Sequence, residues 1–404
     1  MTDRFHAALA RHVADLEEQG TAKGEEAVVV GVVDGGGVRG PRYLLAGEGE
    51  TQFLRMNSND YLGLARHPEV MAAEEEATAR FGAGPGAVRF ISGTYRHHVE
   101  LEASLAAFHG RPAGMIFSSA YATVLGVIVP LITSETTVIS DELNHNCIIN
   151  AMRLARPKEK KIYRHLDLES LDAALAAGSG RRALVVTDGI FSMRGSSAPL
   201  AEIQQLVRRH SERYEEDAIL VVDDSHGVGA FGETGRGTEE VAGTEADILV
   251  ATLGKAFGVN GGYVVGRPEL VRFLRETAPT YIYSNPITVG ECAAATASLS
   301  VVDSAAGRER LEHLRSMTRR FQRGLTDLGH ETLPGDHPVV PLMVRDTART
   351  AALVAHLYAH GVLATGLNYP VVPQGDQSIR FQVSADHTPQ DIDDVLGVIE
   401  RFEG

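Results

Sequence analysis

Three apolar runs in the middle of the chain each end on polar residues, and this pattern restricts the fold more than any other feature. Residues 248–251 run into Thr252-Leu253-Gly254-Lys255, with glycines following. Residues 221–222 run into Asp223-Asp224-Ser225-His226, and residues 184–186 run into Thr187-Asp188-Gly189. Short uninterrupted apolar stretches bounded by glycine read as strands buried on both faces. Such strands belong to parallel sheets, whose carboxyl ends border the crevice where ligands bind. Helical patterns lie between them, so residues 115–265 read as an α/β unit with a mostly parallel sheet.

A lysine just past a buried strand sits in a partly desolvated cleft, where its amine can stay neutral enough to attack a carbonyl. By itself Lys255 reads more often as a solvated strand end. With Asp223 and His226 at the same sheet edge, it suits pyridoxal phosphate (PLP). The lysine supplies the Schiff base, and the acid keeps the pyridine nitrogen protonated so that the ring acts as an electron sink.

Composition narrows the partners. With 404 residues, 44% hydrophobic and 23% charged, the chain is long enough for two or three domains. Its net charge of -15 argues against nucleic acid and anionic membranes. No apolar run approaches the roughly 20 residues that span a bilayer. Residues 1–20 carry acidic groups and no apolar core of a signal peptide. Cys147 and Cys292 are far apart and form no metal-type cluster, so a reduced, cytoplasmic setting without a metal site is expected.

Along the chain, residues 4–19 read as an amphipathic helix with Phe5, Leu9, Val13 and Leu16 on one face and Gly20 as its stop. Residues 28–45 read as a meander, with Gly35-Gly36-Gly37 as a turn rather than a phosphate loop. Residues 98–109 read as a helix that buries Leu101, Leu105 and Phe108. The strand at residues 115–117 leads into Ser118-Ser119-Ala120-Tyr121, where an N-cap and a phosphate-binding helix start are compatible. Residues 137–141 form another strand, followed by Asn144-His145 and a helix over residues 147–155. Residues 199–214 and 289–303 read as helices, and residues 281–286 as a polar turn. The last third reads as a small α+β domain. It has strands at 339–344, 362–365 and 378–383, and a final helix opened by the capping box Thr388-Pro389-Gln390-Asp391. Arg380, inside an apolar strand, suits either a carboxylate ligand or an internal salt bridge.

Together the motifs resemble one family. Asn59-Asp60-Tyr61-Leu62-Gly63-Leu64, Ser140-Asp141-Glu142-Leu143-Asn144-His145, Asp223-Asp224-Ser225-His226 and Thr252-Leu253-Gly254-Lys255 are similar to motifs of the α-oxoamine synthases. These are PLP-dependent enzymes of fold type I that join an amino acid to an acyl thioester. The residues 88–94, 187–193 and 369–373 resemble most the glycine C-acetyltransferase branch.

The resemblance implies a large PLP domain (residues 56–300) with a mostly parallel, seven-stranded type of sheet. An N-terminal segment (1–55) precedes it, and a small α+β domain (301–404) follows. It implies that Lys255 binds the cofactor and then acts as base at the substrate Cα. Asp223 would pair with the ring nitrogen, His226 would meet the ring hydroxyl with Ser192 nearby, and His145 would stack on the ring. Ser119, Ala120, Tyr121 and Thr252 would hold the phosphate. Ser284 would reach the neighbouring subunit's phosphate, which implies a homodimer with shared active sites. Asn59 and Arg380 would bind the amino acid. The substrates implied are glycine or another small amino acid and an acyl thioester on CoA or a carrier protein.

Pro286, Val124, Tyr121 and the short segment around Asn260 depart from the usual pattern. They open an alternative: a longer acyl donor, with decarboxylation. An aldolase or aminotransferase on the same scaffold is a further alternative. A cofactor-binding module without turnover conflicts with the intact Lys255, Asp223, His226 and Arg380.

Overall fold

Seven strands hydrogen-bond into one sheet, and their order puts the polar run-ends together. They are β1 (Ala113–Phe117), β2 (Thr136–Asp141), β3 (Glu159–Tyr163), β4 (Arg182–Asp188), β5 (Ala218–Asp223), β6 (Ile248–Thr252) and β7 (Gly262–Gly266). The order across the sheet is β1-β7-β6-β5-β4-β2-β3. From β6 to β3 all neighbours are parallel, and β7 alone runs antiparallel to β6 and β1. This is the mostly parallel sheet of PLP fold type I. The computed structural model describes residues 2–19, 21–22, 24–369 and 371–403. Gly20, expected as a helix stop, and Pro370 of the 369–373 motif lie outside the described residues.

The central strands are mostly apolar because helices cover both faces. All of β6 is buried, as is nearly all of β4 and β5. Each such Val, Leu or Ile contributes about 1.5–3 kcal/mol on burial. Helix α1 (Ala120–Leu131) and helix α2 (Asn146–Leu154) pack Val124, Val127, Ile128, Ile148 and Met152 against Leu184, Val186, Val221 and Val250.

The chain divides into two compact units. The first holds residues 59–318 and 334–338, including the seven-stranded sheet. In it the helix Arg96–Phe108 buries Leu101, Leu105 and Phe108, as expected. The helix expected over 199–214 is Leu200–His210, and a 3₁₀ turn follows. The expected polar turn at 281–286 begins instead inside a short helix, Pro279–Ile282, started by its proline. Tyr281 is buried there and its hydroxyl accepts from Arg275.

The second unit holds residues 2–58, 319–333 and 339–403. Its three-stranded antiparallel sheet is β8 (Val339–Met343), β9 (Thr365–Leu367) and β10 (Ser378–Gln382), in the order β8-β10-β9. The single strand expected at 362–365 is two pieces. Val362–Leu363 pairs with Leu54–Arg55, and after Ala364 the chain changes partner to β10. The meander is a hairpin of Val29–Val33 and Arg42–Leu45, with Gly35-Gly36-Gly37 in its connection.

The final helix, Pro389–Glu400, has the expected capping box between Thr388 and Asp391. Asp391 also accepts from Gly40 N at 2.8 Å and from Arg42 at 2.6 Å, which ties the N-terminal segment to this helix. Helix Asp3–Glu18 has the expected apolar stripe but buries none of it. Residues 305–327 form a helix absent from the sequence reading. Its apolar residues Leu311, Leu314, Phe321 and Leu325 are spaced at three, seven and four. The dense Arg and Glu between them conceal that period. No helix among the described residues is long and apolar enough to cross a membrane.

Candidate active site

The carboxyl ends of β4, β5 and β6 lie level, because Asp188 pairs with Asp223 and Asp223 with Val250 across the ladder. Beyond them opens a cleft. Lys255, Asp223, His226, His145, Ala120 and Tyr121 all line it. These are six of the residues singled out from the sequence. Cys147, Asp188, Ile190 and Ser225 complete its wall among the described residues.

Each side chain is held by a local device. His145 caps α2, its Nδ1 accepting from Cys147 N at 3.3 Å, while its own N–H donates to Asp188 Oδ2 at 3.1 Å. Asn144 joins β2 to β4. Its amide donates to Ser140 Oγ and to Val186 O, both at 2.8 Å, and its Oδ1 accepts from Asp188 N at 2.9 Å. His226 meets the Tyr61 hydroxyl through Nδ1 at 2.8 Å. Ser119 caps α1 by accepting from Ala122 N at 3.1 Å. The preceding N–H groups of Ala120 and Tyr121 are first-turn donors at the positive end of the helix, suited to an anion. Thr252 Oγ1 donates to Gly261 O at 3.2 Å and accepts from Gly254 N at 3.0 Å, which shapes the turn before Lys255.

Electrostatics in the cleft are dominated by two carboxyls. Burial, and then the charge of Asp223, hold Asp188 well above the usual carboxylate range. The Lys255 ammonium and the His145 N–H oppose that rise, which puts the lysine within electrostatic reach of Asp188. Cys147 Sγ lies 2.9 Å from His145 Nδ1 and 3.7 Å from Asp223 Oδ2. Burial, then the neighbouring carboxylates, push its thiol far up, so it stays protonated and unreactive.

The remaining expected residues sit elsewhere. Ser192 is buried in the loop after β4, and Thr252 ends β6, but neither lines the cleft. Ser284 does not line it either, and its Oγ donates to Asn285 O at 3.4 Å. Asn59 accepts from Tyr61. Arg380 belongs to the other unit, on β10 between Pro341 and Thr365. Sequence reasoning missed Asp188, Cys147 and Tyr61 as site residues. The run-end pattern marked Asp188, and Tyr61 lay inside a quoted motif, but neither carried a role.

The cleft fits PLP on its own chemistry. An amine, an acid beside it, two imidazoles and a helix start meet in one place. Ser225 Oγ on the wall is buried and has no hydrogen-bond partner among the described residues, a polar atom open to a ligand. Gly262 lets the start of α1 approach β7 closely, because a Cβ there would stand 2.4 Å from Ala120 N.

The family model for aminotransferase class I and II matches residues 51–399. The 8-amino-7-oxononanoate synthase of Marinobacter nauticus is 40% identical over 351 residues, covering 86% of each chain. Among solved structures, serine palmitoyltransferase of Sphingomonas wittichii superposes with a TM-score of 0.88 at 28% identity, over 99% of this chain and 97% of that one. A structure of SPT with PLP as its internal aldimine gives a TM-score of 0.86 at 28% identity, with the same coverage. The chain belongs to the aminotransferase class I and II family, and within it to the PLP-dependent α-oxoamine synthases, which are acyltransferases.

Proposed function

We propose that this enzyme condenses a small amino acid with an acyl thioester longer than acetyl, on CoA or a carrier protein, and that carbon dioxide is lost. The observation that carries this reading is the 40% identity to an enzyme named for its product, 8-amino-7-oxononanoate. That product has an amine and a methyl group on the carbon next to a ketone, on a nine-carbon acid. Alanine without its carboxylate and a seven-carbon dicarboxylic acyl group together account for every carbon. The relatives therefore favour the longer-donor, decarboxylating alternative over a glycine C-acetyltransferase.

When bound, PLP supplies an electron sink for the charge that develops at the amino acid Cα. The chain's residues then have these roles. Lys255 holds the cofactor and later moves the proton at Cα. Asp223 would pair with the ring nitrogen and keep it cationic, as a close anion does. His226 would hydrogen-bond the ring hydroxyl, with Ser192 nearby. His145, fixed by Asp188 and Cys147, would stack on the ring and could donate to the oxyanion of the acyl carbon. The start of α1, with Ser119, Ala120 and Tyr121, would hold the phosphate, and Thr252 would add a hydroxyl. Asn59 and Arg380 bind the amino acid, Arg380 gripping its carboxylate. Ser284 serves the site of a second copy, so the working form is a homodimer.

The test is release of labelled carbon dioxide from carboxyl-labelled alanine, glycine and serine, each with acetyl, pimeloyl and palmitoyl thioesters. Stoichiometric release with alanine and the pimeloyl donor supports the reading. Acetyl transfer to glycine with the label retained overturns it. Lys255→Ala should lower turnover by at least about a thousandfold.

A further inference from the structure

The proposed role of His226 leaves one question to the structure: what holds the other side of its ring. Tyr61 is fully buried, 165 positions away in sequence, and its hydroxyl lies 2.8 Å from His226 Nδ1. The same hydroxyl donates to Asn59 Oδ1 at 3.2 Å. An amide oxygen only accepts, so that bond uses the tyrosine's single proton. The phenol oxygen is then the acceptor for an Nδ1–H of the imidazole. Nδ1 is thereby the protonated nitrogen, and Nε2 is the nitrogen with a lone pair that can accept from a ring hydroxyl. The surroundings keep this geometry rigid. His337 Nε2 bonds the His226 carbonyl at 2.7 Å, and its ring stands edge-on to Tyr61 with centroids 5.3 Å apart.

We propose that Tyr61 is a positioning residue that fixes the orientation and the protonated nitrogen of His226, and that couples this imidazole to Asn59 on the amino-acid side. The proposal rests on the reading in which His226 faces the cofactor hydroxyl and Asn59 the amino acid. It adds a tyrosine that touches neither. A second-sphere partner of this kind sets which ring nitrogen carries the proton. Loss of the hydroxyl would leave Nδ1 without that acceptor and remove its hold on the protonated nitrogen.

The experiment compares Tyr61→Phe with the parent in two states. In cofactor-free protein labelled with ¹⁵N-histidine, the His226 signals are identified by their loss in His226→Gln. Their nitrogen shifts report which nitrogen is protonated. In PLP-loaded protein, the visible band is followed against pH and PLP affinity is measured. Tyr214→Phe controls for losing a buried hydroxyl elsewhere, since Tyr214 donates to Leu175 O at 2.6 Å and is absent from the cleft wall.

The expected result is a changed Nδ1 signal, a band midpoint moved by at least about 0.5 pH unit and PLP binding weakened about tenfold. Tyr214→Phe should match the parent in the midpoint and in affinity. Unchanged His226 signals in Tyr61→Phe overturn the proposal outright. Changed signals with an unmoved band also overturn it, and they assign the failure to the reading of His226 as a cofactor contact. An equal band shift in Tyr214→Phe would reduce Tyr61 to a packing residue and overturn it as well.

Discussion

Gly262 on β7 and Ala120 at the start of α1 are in such close contact that a Cβ on the glycine would stand 2.4 Å from the Ala120 nitrogen and 2.5 Å from its Cα. The other side of the contact is backbone, so it has no flexible side chain to move aside. The glycine therefore sets where the first-turn N–H groups of α1 point.

Gly262→Ala should displace that helix start while leaving the sheet paired. PLP affinity is expected to fall at least about tenfold, with a stability loss of about 1–3 kcal/mol from overpacking. Fluorescence titration with PLP and urea unfolding of the cofactor-free protein would check both. Parent-like affinity would mean that α1 does not serve the phosphate.

Asp224 governs part of the pH dependence of stability. It accepts from Thr238 N at 2.6 Å and from Thr238 Oγ1 at 2.5 Å, but complete burial outweighs these bonds and lifts it to about 7. An unfolded aspartate titrates near about 3.9, so the folded state holds the proton more tightly. The contribution is full below about pH 4 and is lost as pH rises through about 7. Asp224→Asn should therefore make stability between pH 4 and 7 less dependent on pH, by about 1.4 kcal/mol per unit. Urea midpoints of the cofactor-free protein across that range give the difference. Parallel curves for parent and variant would show that Asp224 is ionised throughout.

Glu102 is the anionic centre of a buried cluster. Its oxygens accept from Arg89 at 3.1 and 3.2 Å, from Arg275 at 2.7 Å and from Ile116 N at 3.1 Å. Arg89 and Glu102 are each about 5% exposed. Glu102→Gln keeps the shape but leaves guanidinium charge without its counter-ion, so a loss of about 3–5 kcal/mol is expected. Equilibrium unfolding would measure it, and a loss below about 1 kcal/mol would make the cluster dispensable.

Much of the site was legible because its chemistry sits at strand ends. Lys255, Asp223 and His226 close apolar runs, and an apolar run reports a strand through local burial alone. His145 and Ala120 were legible as helix starts, since capping depends on a few adjacent residues. The long helix over 305–327 was hidden because charged side chains outnumber the apolar ones that define its period. The division of residues 362–367 between two sheets was hidden because a strand's partner is not encoded in the strand.

The sequence by itself determined the buried sheet, the cofactor chemistry and the residues available for it. These follow from the order of apolar, glycine and titratable residues along short segments. Only the tertiary structure decided that Asp188 stands beside Asp223 and that Tyr61 meets His226. It alone also decided that Gly262 is pressed against Ala120. Each of these pairs joins segments tens to hundreds of residues apart. Their contact depends on strand register and helix packing, which no local stretch of the chain contains.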